Sequence, residues 1–236
     1  MNERQLSKRL ITVADSVPNG EKVADIGSDH AYLPCYLCLR DETTVAIAGE
    51  VNEGPFRLAK SQVERLELSS RIDVRKGNGL QVLEAGEVDV VTIAGMGGGL
   101  IRSILEEGKD KLEGVTRLVL QPNVAADAIR IWLRENGWRL FAETILEEDE
   151  KVYEILVAVR GDDSDLYEED TERKLLLGPF LMQERNETFC KKWRNEVMNW
   201  KQILSQFEQA AASSELEQKR EALMKQIQMV EEVLTW

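Results

Sequence analysis

One histidine and three cysteines in 236 residues leave too few soft ligands to build a structural zinc site. Cys35 and Cys38 form a C-x-x-C pair on an apolar stretch with helical spacing, and Cys190 stands far away. All three read as packed, reduced thiols, and no metal is expected. Long hydrophobic runs are also missing: none approaches the roughly 20 residues that cross a bilayer. Met1–Gln5 leads into an amphipathic pattern with no apolar stretch of the signal-peptide kind. The expectation is a cytoplasmic protein with no membrane partner. Cations are scarce as well, 30 Lys and Arg against 43 Asp and Glu, for a net charge of −13. Taken whole, that balance argues against a nucleic-acid partner.

The distribution of charge changes that reading. Residues 161–172 hold seven acids and no base, whereas residues 173–236 hold ten Lys and Arg against nine Asp and Glu. The acidity of the C-terminal part therefore lies in one segment, read as a linker between a domain over 1–160 and a second over 173–236.

What is present in the first 160 residues is an alternation of two hydrophobic periods. Leu6, Leu10, Val13, Ala14 and Val17 recur at helical spacing and end at the turn Pro18-Asn19-Gly20. Apolar runs suited to buried strands follow at Val23–Ile26, Val45–Ala48, Ile72–Val74, Val88–Ala94 and Leu118–Leu120. Helical stretches lie between them at Ala31–Leu39, Pro55–Leu66, Leu100–Glu107 and Ala125–Asn136, with Asn52 and Pro55 suited to open the second. Strands alternating with helices predict an α/β domain with a Rossmann-like, mostly parallel sheet covered on both faces. Trp138–Ile145 and Val152–Val159 read as an antiparallel pair joined by the acidic turn Glu147–Glu150. A parallel sheet finished by such a hairpin is a feature of class I methyltransferases rather than of dinucleotide dehydrogenases. Beyond the linker two apolar series, Phe189–Phe207 and Leu216–Leu234, predict an α-helical antiparallel coiled-coil hairpin. It would turn at Ala210–Ser214 with Ser214 as a cap.

Four segments carry chemistry. In the run from Asp25 to Pro34 a strand ends at Gly27, a tight turn holds Ser28 and Asp29, and a helix begins beyond His30. Gly27 lets the backbone approach a ligand at the carboxyl end of the strand. Asp29 in this turn would repel a pyrophosphate but suits the sulfonium and ammonium groups of S-adenosylmethionine, which is preferred here to NAD. The plainer alternative is a structural turn with Asp29 as a solvated cap. In Gly49-Glu50-Val51-Asn52 an acid closes the next strand 23 positions after Gly27. That is the spacing at which a carboxylate accepts from ribose hydroxyls in nucleotide-binding folds, although an exposed strand end would also fit. Gly77-Asn78-Gly79 can offer an amide or backbone groups to an adenine edge, or be a bare turn. Ala94-Gly95-Met96-Gly97-Gly98-Gly99 ends the fourth strand. A dinucleotide loop matches it poorly, because the last required glycine falls on Leu100. A pocket walled by backbone is the alternative.

Together these blocks, with Leu120-Gln121-Pro122-Asn123, the Trp132–Gly137 helix end and Leu175–Phe180, resemble the bacterial tRNA adenine-22 N1-methyltransferase family over most of the chain. The resemblance implies a class I methyltransferase fold and methyl transfer from S-adenosylmethionine to N1 of an adenine in the D-loop region of tRNA. It also implies a C-terminal coiled coil that helps to bind tRNA. On this reading the cofactor-binding residues are Asp25, Gly27, Ser28, Asp29, Glu50, Val51, Asn78, Gly79, Ala94, Gly95 and Met96. Asp29 and His30 are the candidate catalytic residues. Arg4, Lys8 and Arg9 on the first helix and Lys191 and Lys192 on the hairpin are the candidate tRNA contacts, with Arg185, Arg194 and Lys201 as further cations. A monomer is compatible with the sequence. Three alternatives stand beside this reading: a small-molecule methyltransferase whose hairpin only dimerises, an NAD(P)-dependent oxidoreductase, and a non-catalytic nucleotide- or RNA-binding module.

Overall fold

In the structure, a computed structural model, residues 5–207 and 213–235 are described. They fall into two compact units that divide between Asp165 and Leu166.

In the first unit the apolar runs become strands. β1 (Lys22–Ile26), β2 (Val45–Glu50), β3 (Ile72–Lys76), β4 (Val90–Met96) and β5 (Arg117–Pro122) are parallel. β6 (Trp138–Glu148) and β7 (Lys151–Arg160) complete the sheet antiparallel, in the order β3-β2-β1-β4-β5-β7-β6. The expected mostly parallel sheet with an antiparallel finish is therefore present. Chain order reverses between β1 and β4, so the loops leaving these two strands part and open a crevice at their carboxyl ends, where α/β sheets bind ligands.

The helices of this unit are α1 (Lys8–Asp15), α2 (Tyr32–Arg40), α3 (Glu53–Arg65), α4 (Gly98–Glu107) and α5 (Ala126–Glu135). Val13 and Ala14 of α1, Val17 just beyond it, and Leu33 and Leu37 of α2 pack against Val23, Val90 and Val119 of the sheet. Ala59 and Val63 of α3 join Cys35, Cys38, Ala46, Ala48 and Ile72 in a second apolar cluster. Cys35 and Cys38 are buried free thiols, and burial pushes the Cys38 thiol up to about 11, which keeps it protonated and unreactive at neutral pH.

Several local expectations are corrected. β3 is not a strand buried on both faces: it is the sheet edge, and Asp73 faces solvent. The turn between β6 and β7 is two residues, not four. Asp149 and Glu150 both take positive φ, 50° and 61°, as a two-residue hairpin turn demands, so Glu147 and Glu148 are pulled into β6. Asn52 stands at the N-cap of α3 but makes no side-chain capping bond there.

In the second unit α6 (Thr171–Leu177) and α7 (Pro179–Glu184) are separated by Gly178 at φ 88° and precede the long α8 (Glu187–Phe207) and α9 (Ser214–Thr235). Part of the stretch expected as linker is ordered as a short 3-10 turn, Ser164–Tyr167, in which Tyr167 is buried. α8 buries Phe189, Trp193 and Val197, and α9 buries Ile227, Val230 and Val233. The seam of α9 thus ends on Val233 rather than on Leu234, because Val230 and Val233 lie three apart on the covered face. Arg185, just before α8, donates to the carbonyl of Val233 at 3.0 Å, and Lys201 pairs with Glu231 at 2.6 Å. The α9 cap is Ser213, whose hydroxyl accepts from Leu216 N–H at 3.2 Å, one residue before the expected Ser214. Residues 210–212 of the expected turn lie outside the described residues.

Candidate active site

The carboxyl ends of β1, β2 and β4 are bound together by buried polar groups. Asp25, the fourth residue of β1, is buried and accepts from Ser28 Oγ at 2.6 Å and from Thr92 Oγ1 of β4 at 2.7 Å. Burial raises the Asp25 carboxyl pKa, and the two hydroxyl bonds pull part of that shift back. The Asp25 side chain is a brace: both oxygens are used to tie the β1 loop to β4. After it the chain turns sharply, with Gly27 at φ 72° and then Asp29, His30 and Ala31 all at positive φ. Three consecutive non-glycine residues in that region store strain of the kind that clusters at functional sites. The turn is anchored to β2, since the N–H groups of Gly27 and Ser28 both donate to Gly49 O, at 2.9 and 3.2 Å.

Glu50 ends β2 with its side chain buried, and Oε1 has no hydrogen-bond partner among the described residues. Burial raises its pKa, the Asp29 N–H lowers it, and the charges of Asp25 and Asp29 raise it further. A buried carboxylate with an idle oxygen is costly unless a ligand donates to it. A vicinal ribose diol is such a donor, so the residues present fit the sugar of a nucleoside cofactor. Gly77 N–H donates to Glu50 O at 2.9 Å and brings the Asn78 loop alongside. Asn78 is exposed; Gly79 lies at φ 53° against Ile104 of α4, where a Cβ would come within 3.1 Å of that side chain. Val51 points outward, 54% exposed.

At the end of β4 the ladder to β5 carries a bulge between Ala94 and Met96, and Gly95 takes φ 81°. The backbone groups freed by the bulge are met from the end of β5. Gly95 N–H donates to Gln121 Oε1 at 2.9 Å, Asn123 Nδ2 donates to Gly95 O at 2.8 Å, and Asn123 N–H donates to Met96 O at 2.7 Å. Gln121 is fully buried, and its Oε1 also accepts from Arg9 Nη1. Met96 folds over Gly27, where a Cβ would lie 2.1 Å from its Cε. The next glycines form a packing joint: a Cβ on Gly98 would lie 1.9 Å from Ala125 O.

A cavity of about 310 Å³ lies between these loops, lined by Arg9, Leu10, Asp25, Gly27, Ser28, Asp29, Leu33, Ala94, Gly95 and Met96. Of the residues expected to bind cofactor, Asp25, Gly27, Ser28, Asp29, Ala94, Gly95 and Met96 meet here. Glu50, Val51, Asn78 and Gly79 lie along the neighbouring strand ends, outside this cavity. Of the two candidate catalytic residues, Asp29 lines the cavity with an exposed side chain. His30 does not: its ring stacks on Tyr32, 5.4 Å between centroids, and Nε2 lies 3.5 Å from Asp29. Arg4 lies outside the described residues. Lys8 is exposed, but Arg9 is in the cavity wall, its guanidinium 5.2 Å from the centre of the Tyr153 ring. On α8 Lys191 is exposed and Lys192 Nζ sits 4.5 Å from the Trp193 ring. Sequence reading missed Thr92, Gln121 and Asn123 as supports. A glutamine closing the apolar run Leu118–Leu120 was the available signal for the second. Among the described residues no group of three His, Cys, Asp or Glu is placed to hold a metal.

A family model described as tRNA (adenine(22)-N(1))-methyltransferase matches residues 23–232. The tRNA (adenine(22)-N(1))-methyltransferase of Bacillus subtilis is 51% identical over 235 residues, 99% of each chain. The crystal structure of the B. subtilis m1A22 tRNA methyltransferase TrmK superposes with a TM-score of 0.93 at 50% identity, covering 98% of this chain and 99% of that one. The Streptococcus pneumoniae protein Sp1610 in complex with S-adenosyl-L-methionine gives 0.86 at 43% identity, over 98% and 100% of the two chains. Mycoplasma capricolum TrmK with S-adenosyl-homocysteine gives 0.79 at 26% identity, over 98% of each. With the braced turn at Gly27, the idle Glu50 oxygen and the bulge at Gly95 in place, the chain belongs to the tRNA (adenine(22)-N(1))-methyltransferase family.

Proposed function

We propose that this chain methylates N1 of adenine 22 in tRNA, with S-adenosylmethionine as donor. The observation that carries the reading is the buried Glu50 carboxylate with one oxygen idle, set beside a cavity at the point where strand order reverses. Family membership supports the choice of base and of RNA. When bound, S-adenosylmethionine supplies a methyl group activated by its sulfonium. Glu50 accepts from the ribose hydroxyls, and the Gly27–Asp29 turn leaves room for the donor's amino-acid portion. Adenine N1 has a free lone pair at neutral pH, so no side chain needs to remove a proton to create the nucleophile. The contribution of the protein is position. Gln121 and Asn123 hold the Gly95 bulge rigid as a wall for the incoming base, and the Asp29 carboxylate at the mouth orients the sulfonium donor. The base reaches this wall by leaving its stack. His30, held beside Asp29, orients that carboxylate. Lys8, Lys191 and Lys192 contact tRNA phosphates, residues 173–236 serve as the RNA-binding unit, and the protein works in the cytoplasm.

The test is nucleoside mapping by mass spectrometry after incubation of unmodified tRNA with the protein and S-adenosylmethionine. One 1-methyladenosine at position 22 is expected, and none in a transcript carrying guanine there. Methylation at another position, or none, would refute the assignment.

A further inference from the structure

The cavity beside Gly27 has an uneven complement of charge. Its ionisable walls are Asp25, Asp29 and one cation, Arg9. Both Asp25 oxygens are engaged by Ser28 and Thr92, leaving Asp29 and Arg9 to meet a ligand. Arg9 is held by its own helix and by its neighbours. Ser7 Oγ accepts from Leu10 N–H at 3.3 Å, while Glu148 accepts from the backbone N–H of Lys8 at 2.5 Å and of Arg9 at 3.3 Å. The side chain then passes over Tyr153 and donates to Gln121, its only hydrogen-bond acceptor among the described residues. A guanidinium has five N–H donors in a planar fork that matches a carboxylate. Spare donors on a residue that lines a cavity also bearing the exposed Asp29 suit a zwitterion with one carboxylate and one ammonium group.

We infer that Arg9 binds the α-carboxylate of S-adenosylmethionine, with Asp29 facing the α-ammonium, and that through Gln121 it links the cofactor tail to the Gly95 wall. The inference rests on the function proposed above and assigns Arg9 to the cofactor rather than to RNA. Charge alone would equally let Arg9 take a tRNA phosphate. Partial burial, the anchor on Gln121 and the place beside Gly27 favour the smaller ligand.

The experiment is calorimetry without tRNA on the intact chain and its Arg9→Met and Arg9→Lys variants. Each is titrated with S-adenosylmethionine and with its decarboxylated analogue, which keeps the sulfonium and the amine. The wild-type protein should prefer the carboxylated ligand by about 10- to 100-fold, the range of a charge-assisted hydrogen-bonded contact. Arg9→Met should bind both equally, at the wild-type affinity for the analogue, which also shows that its pocket is folded. Arg9→Lys should keep part of the preference. If Arg9→Met binds neither, Arg9→Lys decides, since an undiminished preference overturns the inference. So does a full preference in Arg9→Met, or a wild-type protein that does not discriminate. A wild-type protein that binds neither ligand refutes the proposed function itself.

Discussion

Glu50 sets a local conflict between stability and binding. Its carboxyl pKa is raised by burial above the ordinary glutamate value of 4.5. A raised folded-state pKa means that the site favours the protonated form. Relative to the unfolded chain, this gain is complete below the ordinary glutamate value and is lost as pH rises through the raised one. In the empty protein the ionised form of Glu50 is therefore the disfavoured one. Glu50→Gln should raise or leave unchanged the melting temperature of the protein alone, while weakening S-adenosylmethionine by about tenfold or more, because an amide accepts less strongly than a carboxylate. Paired thermal melts and calorimetry measure both. In the wild type the affinity should decline on acidification at a higher pH than an ordinary glutamate would cause. A Glu50→Gln protein with undiminished affinity would remove Glu50 from the sugar site. Asp25 has the same raised direction but a different role: its oxygens are already committed to Ser28 and Thr92.

At the scale of elements, α5 is tied to the antiparallel pair by a buried charge cluster. Arg130 of α5 reaches Glu143 of β6 and Glu154 of β7, each at 2.6 Å, and all three side chains are almost fully buried. The cluster pins α5 to the antiparallel pair, and α5 follows the loop containing Asn123. Arg130→Met leaves two buried carboxylates without their shared cation and should cost about 3–5 kcal/mol. Replacing all three by apolar residues of similar size should recover most of that loss, as measured by urea unfolding. A single-variant cost below about 1 kcal/mol would mean that the cluster is solvated in solution. The strands themselves were legible because β1, β4 and β5, covered on both faces, are mostly apolar runs, interrupted by the buried polar groups Asp25, Thr92 and Gln121. Edges and turns were less legible. β3 shares the apolar look of its neighbours yet has one neighbour only, and the Asp149-Glu150 turn has no glycine or asparagine to betray its positive φ.

For the whole molecule, the proposed division of labour puts chemistry in the first unit and RNA contact in the second. The acidic total does not oppose this, since phosphate contact depends on local charge. Part of the expected basic face is spent within the second unit, where Lys201 pairs with Glu231 and Arg185 caps Val233. Changing Lys191 and Lys192 together to Glu should weaken tRNA binding, and the slope of log affinity against log salt should fall by about one for each lysine that meets a phosphate. S-adenosylmethionine binding should not change. Filter binding across a salt series measures the first, and unchanged slopes would take these lysines off the RNA surface.

By itself the sequence determined which segments are strands and helices, the glycine where β1 turns, and the acid that ends β2. These are local facts: hydrophobic period and residue type at a strand end are written in consecutive positions. Only the tertiary structure decided that Arg9 belongs to the cavity, that His30 stands outside it, and that Gln121 and Asn123 support the Gly95 bulge. Those residues lie as much as 112 positions apart, and they meet because the sheet places β4 beside β5 and α1 is fastened to β6 through Glu148. A polar side chain has no periodicity that names its partner, so its role is set by whichever strand ends the fold brings against it.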